Sequence, residues 1–213
     1  QMCIRDSFIT ISLFALSLRS SIIFEMRIIK SLVVIGTRPE AIKMAMLIKS
    51  LKKSNFIDNK LCLTGQHRQM LDQVLAFFSI KSDYDLDIMK KNQSLEHITT
   101  KILMGLSKII KEYKPDLLFV HGDTTTCFAS SLAAFYQGVK VCHIEAGLRT
   151  DNINRPFPEE LNRNLVSKIA YLNFAPTEEN KYALLKENIK EEKIFVIGNT
   201  VIAVSYTHLR AHE

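Results

Sequence analysis

Four things this sequence lacks narrow its reading before any motif is weighed. Its cysteines, Cys3, Cys62, Cys127 and Cys142, form no C-x-x-C pair and stand beside no histidine at a metal-ligand spacing. Neither a disulfide scaffold nor a metal site is expected, and reduced thiols in a cytoplasmic protein are the economical reading. No G-x-G-x-x-G and no Walker lysine motif occurs, so neither a dinucleotide nor an ATP site is supported. Clustered basic charge is missing too. Lys and Arg total 28 against 22 for Asp and Glu, a net +6, but the excess is dispersed, which argues against a nucleic acid partner and for attraction of an anionic small molecule. Long apolar runs are also absent. The stretch from Phe8 to Leu16 is too short to cross a bilayer, Arg19 follows closely, and neither a charged leader nor a clean cleavage site frames it. No membrane association is expected.

What is present suits a folded enzyme-sized domain. With 213 residues, 47% hydrophobic and 23% charged, the chain can bury a sizeable core. Met26 opens a segment that runs directly into a strand pattern. The preceding residues 1–25 are expected to be a non-native leader and 204–213 a non-native tail, leaving a domain over 26–203. Within it, short and often β-branched apolar runs at about 28–35, 60–64, 116–120, 139–144, 171–175 and 193–197 read as buried parallel strands. Helical periodicity fills the intervals at about 39–53, 67–78, 94–113, 125–137, 158–169 and 177–187. This alternation predicts an α/β fold with a doubly wound parallel sheet of Rossmann type, whose ligands gather at the carboxyl ends of the strands.

The polar motifs fall at those ends. Gly36-Thr37-Arg38-Pro39-Glu40-Ala41-Ile42-Lys43 follows the first strand and opens a helix. Gly36 permits the sharp turn, Pro39 suits the first helical position, and a helix N-terminus with Arg38 beside it is a natural place for a diphosphate. A plain helix cap with a solvated Arg explains the same pattern. His121-Gly122-Asp123-Thr124-Thr125-Thr126 and Glu145-Ala146-Gly147-Leu148-Arg149-Thr150 follow two further strands, and Pro158-Glu159-Glu160-Leu161-Asn162-Arg163 opens a helix. Asp123, Glu145 and Glu159 could supply an acid and a base. Against that, Asp123 could cap the following helix, and Glu159 and Glu160 could form helix pairs with Arg163. Glu145 has no such structural excuse. His121 and His143 read singly as core or supporting histidines. Gln66 and Gln69, after the second strand, suit a sugar or nucleotide as well as an exposed helix start.

Taken in chain order, Gly36 to Lys43, Gln66-His-Arg-Gln-Met-Leu-Asp-Gln73, His121 to Thr126, His143-Ile-Glu-Ala-Gly-Leu-Arg-Thr150, Pro158 to Arg163 and Gly198-Asn-Thr-Val-Ile202 resemble the bacterial non-hydrolysing UDP-N-acetylglucosamine 2-epimerases over roughly Met26 to Ile202. The resemblance implies the N-terminal half of a two-domain glycosyltransferase-B-type fold, with the active site between the domains and the C-terminal UDP-binding domain absent here. It implies C2 proton removal from UDP-N-acetylglucosamine, loss of UDP to a glycal, and re-addition to give UDP-N-acetylmannosamine, with no cofactor or metal. On this reading Asp123, Glu145 and Glu159 are the catalytic carboxylates, although which takes the proton stays open. Arg38 and Lys43 are the basic substrate contacts, and Gln66 and Gln69 contribute to an allosteric site for a second UDP-N-acetylglucosamine. Asn92 stands where relatives can be basic. A homodimer is implied. A relative acting on another UDP-2-acetamido sugar, a hydrolysing relative, and a binding module without chemistry are the alternatives.

Overall fold

The computed structural model describes residues 27–65, 68–88 and 93–201, with the side chains of residues 68–70 left aside. Seven strands form one parallel sheet: β1 (Ile29–Ile35), β2 (Ile57–Leu63), β3 (Tyr84–Asp85), β4 (Leu117–His121), β5 (Lys140–Ile144), β6 (Leu172–Ala175) and β7 (Ile194–Val196), in spatial order β3-β2-β1-β4-β5-β6-β7. The helices between them are α1 (Arg38–Lys53), α2 (Arg68–Phe77), α3 (Leu95–Tyr113), α4 (Thr125–Tyr136), α5 (Glu159–Ile169) and α6 (Glu178–Lys186), with a 3₁₀ turn at Glu191–Lys193.

Alternation along each strand decides which helices cover which face. On one face Val33, Ile35, Leu61, Leu63, Leu117, Phe119, Ile144 and Phe174 pack against Met44, Ile48 and Leu51 of α1 and Leu71 and Val74 of α2. On the other, Leu32, Val34, Leu118, Val120 and Val141 meet Leu106 and Ile110 of α3, Ala133 and Ala134 of α4, and Val166 of α5. A strand buried on both faces must be apolar at every position, which is why these strands read as continuous apolar runs. Each fully buried Leu, Ile or Phe contributes about 1.5–3 kcal/mol relative to exposure. The doubly wound expectation therefore holds.

Two details differ from the sequence reading. β3 was not anticipated: it is two residues long and pairs with Cys62 and Leu63 of β2. β2 starts at Ile57 rather than near residue 60, because Asn59 enters the sheet as a buried polar residue accepting a 2.8 Å hydrogen bond from the Ser31 hydroxyl.

The strand order places a switch point between β1 and β4. From β1 the chain steps outward to β2 and β3, then returns through α3 to β4 and steps the other way. The turns leaving β1 and β4 consequently diverge and open a crevice at the carboxyl edge, the position where such sheets hold ligands.

Candidate active site

The first wall of the crevice is the β1–α1 turn. Gly36 is required there by space: a Cβ would lie 2.3 Å from the Thr64 hydroxyl and 2.5 Å from that of Thr126. Thr37 is the N-cap of α1, its hydroxyl accepting the Glu40 N–H, and Glu40 completes a capping box, so Pro39 sits second in the helix rather than first. One Glu40 carboxylate oxygen accepts the N–H groups of Gly36 and Thr37, both at 2.7 Å. Two backbone donors of this turn are therefore already engaged within the chain. Pro39 has no N–H, and the Glu40 N–H is taken by the Thr37 hydroxyl. Phosphate binding at this turn would therefore depend more on the Arg38 guanidinium, which is exposed, than on backbone donors.

The second wall is the β4–α4 turn. Thr124, not Asp123, is the N-cap of α4, with its hydroxyl accepting the Cys127 N–H at 3.1 Å. The capping explanation of Asp123 thus fails, and its carboxylate instead meets the buried Arg163 guanidinium at 2.8 Å. Arg163 also lies 3.5 Å from Glu160, so the anticipated helix pair is real but secondary to a contact between α5 and the β4 turn. Glu159, one residue earlier, is half-buried and near enough to Asp123 to influence its titration. Burial pushes the Asp123 carboxyl above its ordinary value; Arg163 opposes this, Glu159 and Glu145 add to it, and His121 opposes it.

β5 ends in the third contribution. Glu145 has a left-handed backbone with φ of 64°, a conformation that a glutamate rarely adopts, and it leads into Gly147 at 92°. The Lys43 ammonium of α1 donates to both Glu145 oxygens, at 2.6 and 2.8 Å. The His121 Nε2 lies 3.2 Å from the same carboxylate, close in distance but poorly aligned for a hydrogen bond. Burial alone would raise the Glu145 carboxyl, but His121 and Lys43 outweigh it and hold it at about 2. His143, buried on the same strand, is pushed down to about 4 by burial and stays neutral; its Nε2–H donates to the Gly122 carbonyl at 2.7 Å.

These walls enclose a cleft of about 510 Å³ that is lined by Arg38, Lys43, Asp123 and Glu145 together with His121. Four of the expected site residues are thus brought together from β1, β4 and β5, and Glu159 stands beside them. Gln66 lies outside the described residues, as does Asn92; Gln69 is in the first turns of α2, with its side chain outside them. Cys62, Cys127 and Cys142 are buried free thiols. Among the described residues no cluster of three or more His, Cys, Asp or Glu is arranged to hold a metal, and no helix is long and apolar enough to cross a membrane. Sequence reasoning missed Glu40 and Arg163 as members of the site. The T-x-x-E capping-box pattern was the available signal for Glu40; nothing local marks Arg163.

Comparison with known proteins assigns the chain. The family model described as UDP-N-acetylglucosamine 2-epimerase matches residues 49–213. The chain belongs to the UDP-N-acetylglucosamine 2-epimerase family. A UDP-N-acetylglucosamine 2-epimerase of Neisseria meningitidis serogroup A is 60% identical over 173 residues, covering 81% of this chain and 46% of that protein. A crystal structure of the UDP-GlcNAc 2-epimerase from Neisseria meningitidis bound to UDP-GlcNAc superposes with a TM-score of 0.82 at 57% identity, covering 85% of this chain and 50% of that one. The chain therefore spans about half the length of the epimerases it matches. A lipopolysaccharide outer core galactosyltransferase, at 13% identity and a TM-score of 0.57, covers 79% of this chain and 45% of that one, and shares the fold alone. These neighbours agree with the glycosyltransferase-B-type half expected from sequence.

Proposed function

We propose that this chain supplies one wall of the active site of a non-hydrolysing UDP-N-acetylglucosamine 2-epimerase, with the facing wall contributed by a C-terminal UDP-binding domain. The observation that carries this reading is the convergence of an ammonium–carboxylate pair and a second, protonation-prone carboxylate in one cleft at the switch point. The meningococcal relative, seen bound to UDP-GlcNAc, supports the choice of substrate.

The reaction needs a base at C2 and stabilisation of a departing diphosphate. As the base takes the C2 proton, the C–H electron pair forms the C1=C2 bond and the C1–O bond breaks, UDP leaving with its electrons. Re-addition of UDP to C1 and delivery of a proton to C2 from the other face gives UDP-N-acetylmannosamine. In this scheme Asp123 is suited to exchange the proton, since a raised pKa makes it the stronger base, and such proton transfer contributes roughly 10²–10⁴-fold. Glu159 helps keep Asp123 raised. Glu145 is a poor base while Lys43 grips it; when the diphosphate draws Lys43 away, its basicity rises and it can serve the other face. Arg38 and Lys43 face the developing charge on the diphosphate. Arg163 holds Asp123 in place.

The family resemblance supports four further proposals: a homodimer, a cytoplasmic location, Gln66 and Gln69 in a site for a second, activating UDP-N-acetylglucosamine, and a role supplying N-acetylmannosamine units for surface polysaccharide. The chemistry is tested on this chain completed by the C-terminal half of the meningococcal relative. Incubation with UDP-N-acetylglucosamine in heavy water should place deuterium at C2 and yield the C2 epimer. Tight UDP binding with no exchange at C2 would instead favour a binding module.

A further inference from the structure

Three consecutive residues at the tip of β4 are each pinned by a buried side chain from a different element. The Gly122 carbonyl accepts from His143 of β5 at 2.7 Å, and the Asp123 carbonyl accepts from Asn162 of α5 at 2.9 Å. The Thr124 hydroxyl donates to Glu40 of α1 at 2.6 Å. Gly122, at φ of 69°, also donates its N–H to the Ile144 carbonyl at 2.9 Å. The turn bearing Asp123 is therefore held at each of its three residues.

Of the three pins, Glu40 does something that local structure does not require. It is only 3% exposed, and no ion pair serves it among the described residues. A carboxylate removed so fully from water persists only where donors replace its hydration. Its Oε2 takes the Gly36 and Thr37 N–H groups, which is all a capping box needs. Its Oε1 is the oxygen that reaches across the crevice to Thr124.

We infer that Glu40 is a positioning residue that ties the start of α1, which carries Arg38 and Lys43, to the turn carrying Asp123, so that the cationic and acidic walls keep a fixed spacing. The tie is a property of this chain; its catalytic consequence rests on the C2 chemistry proposed above. Misplacement of a reacting group by about 1 Å can cost about 10²-fold in rate, so a tie of this kind acts on turnover more than on affinity.

The test compares Thr124→Val, Thr124→Ser and Glu40→Asp. Valine removes the donor to Glu40 but also the cap acceptor for Cys127, whereas Glu40→Asp withdraws the carboxylate by one methylene and leaves the α4 cap intact. Amide hydrogen exchange on the 213-residue chain should rise about tenfold at 122–124 in Thr124→Val and Glu40→Asp, with the β1 amides unchanged and Thr124→Ser near the parent. In the completed protein, kcat should fall about tenfold in the same two variants, with KM for UDP-N-acetylglucosamine within about twofold and serine restoring kcat. Exchange and kcat in Thr124→Val and Glu40→Asp within about twofold of Thr124→Ser would overturn the inference. Should the parent protein fail to turn over the substrate, the epimerase reading falls while the exchange comparison still decides the tie.

Discussion

Replacing Lys43 by Met probes the electrostatics of the site most sharply. The ammonium donates to both Glu145 oxygens, at 2.6 and 2.8 Å, and with His121 it overcomes the burial that would otherwise raise this carboxyl. An opposite charge this close shifts a carboxyl by about 1–3 units. Its loss should therefore move Glu145 upward from about 2, with His121 still holding it down. The sign of the stability change follows. A carboxyl depressed in the folded state adds stability that is fully present above its unfolded value and is lost as pH falls toward the folded one. In the parent this contribution disappears between about pH 4.5 and 2. Partial solvent access discounts it, so the variant should lose about 1–3 kcal/mol at neutral pH and roughly half that or less near pH 3. Urea unfolding at the two pH values, parent against variant, reads the stability directly, and a ¹³C titration of the Glu145 carboxyl reads the midpoint. Equal destabilisation at pH 7 and pH 3 with an unmoved midpoint would refute the assignment of Lys43 as the counter-ion of Glu145.

Two further substitutions test the frame around this pair. Gly36→Ala forces a Cβ to within 2.3 Å of Thr64 Oγ1 and 2.5 Å of Thr126 Oγ1, and should cost about 1–3 kcal/mol by chemical denaturation, with relief when Thr126 is also changed to Ala. Arg163→Met removes the guanidinium 2.8 Å from Asp123 and leaves both Asp123 and the buried Glu160 without their cation; about 3 kcal/mol of stability should be lost at neutral pH. Because Arg163 is the main influence holding Asp123 down, the same variant should raise the Asp123 carboxyl further and carry the acid limb of the completed protein's pH–rate profile upward; an unmoved limb would contradict the role given to Asp123.

Legibility in the sequence followed the range of the interactions. Strands buried on both faces announced themselves as apolar runs, and Leu32 to Ile35 or Leu117 to Val120 could hardly be anything else. β3 escaped because two residues, Tyr84 and Asp85, make no run, and the start of β2 was hidden because Asn59 is buried through its contact with Ser31 rather than by its own chemistry. Asp123, Glu145, Arg38 and Lys43 were readable because each follows a strand, where the topology of the fold gathers them. What no local pattern carried was the pairing across elements: Lys43 with Glu145 rather than with a ligand alone, Arg163 with Asp123 rather than with its helical neighbours, and Glu40, beyond its capping box, with the Thr124 hydroxyl. Those contacts depend on register between β1, β4 and β5, which exists only once the sheet has formed.

In the proposed chemistry the carboxylates gathered at the tips of β4 and β5 move the C2 proton of a UDP-2-acetamido sugar. The most direct measurement is proton NMR of UDP-N-acetylglucosamine incubated in heavy water with the completed protein and with its Asp123→Asn variant. Loss of the C2 proton signal and growth of the C2-epimer signals are expected with the parent, and at least about a 10²-fold slower exchange with the variant. Undiminished C2 exchange in Asp123→Asn, or none in the parent, would contradict this chemistry.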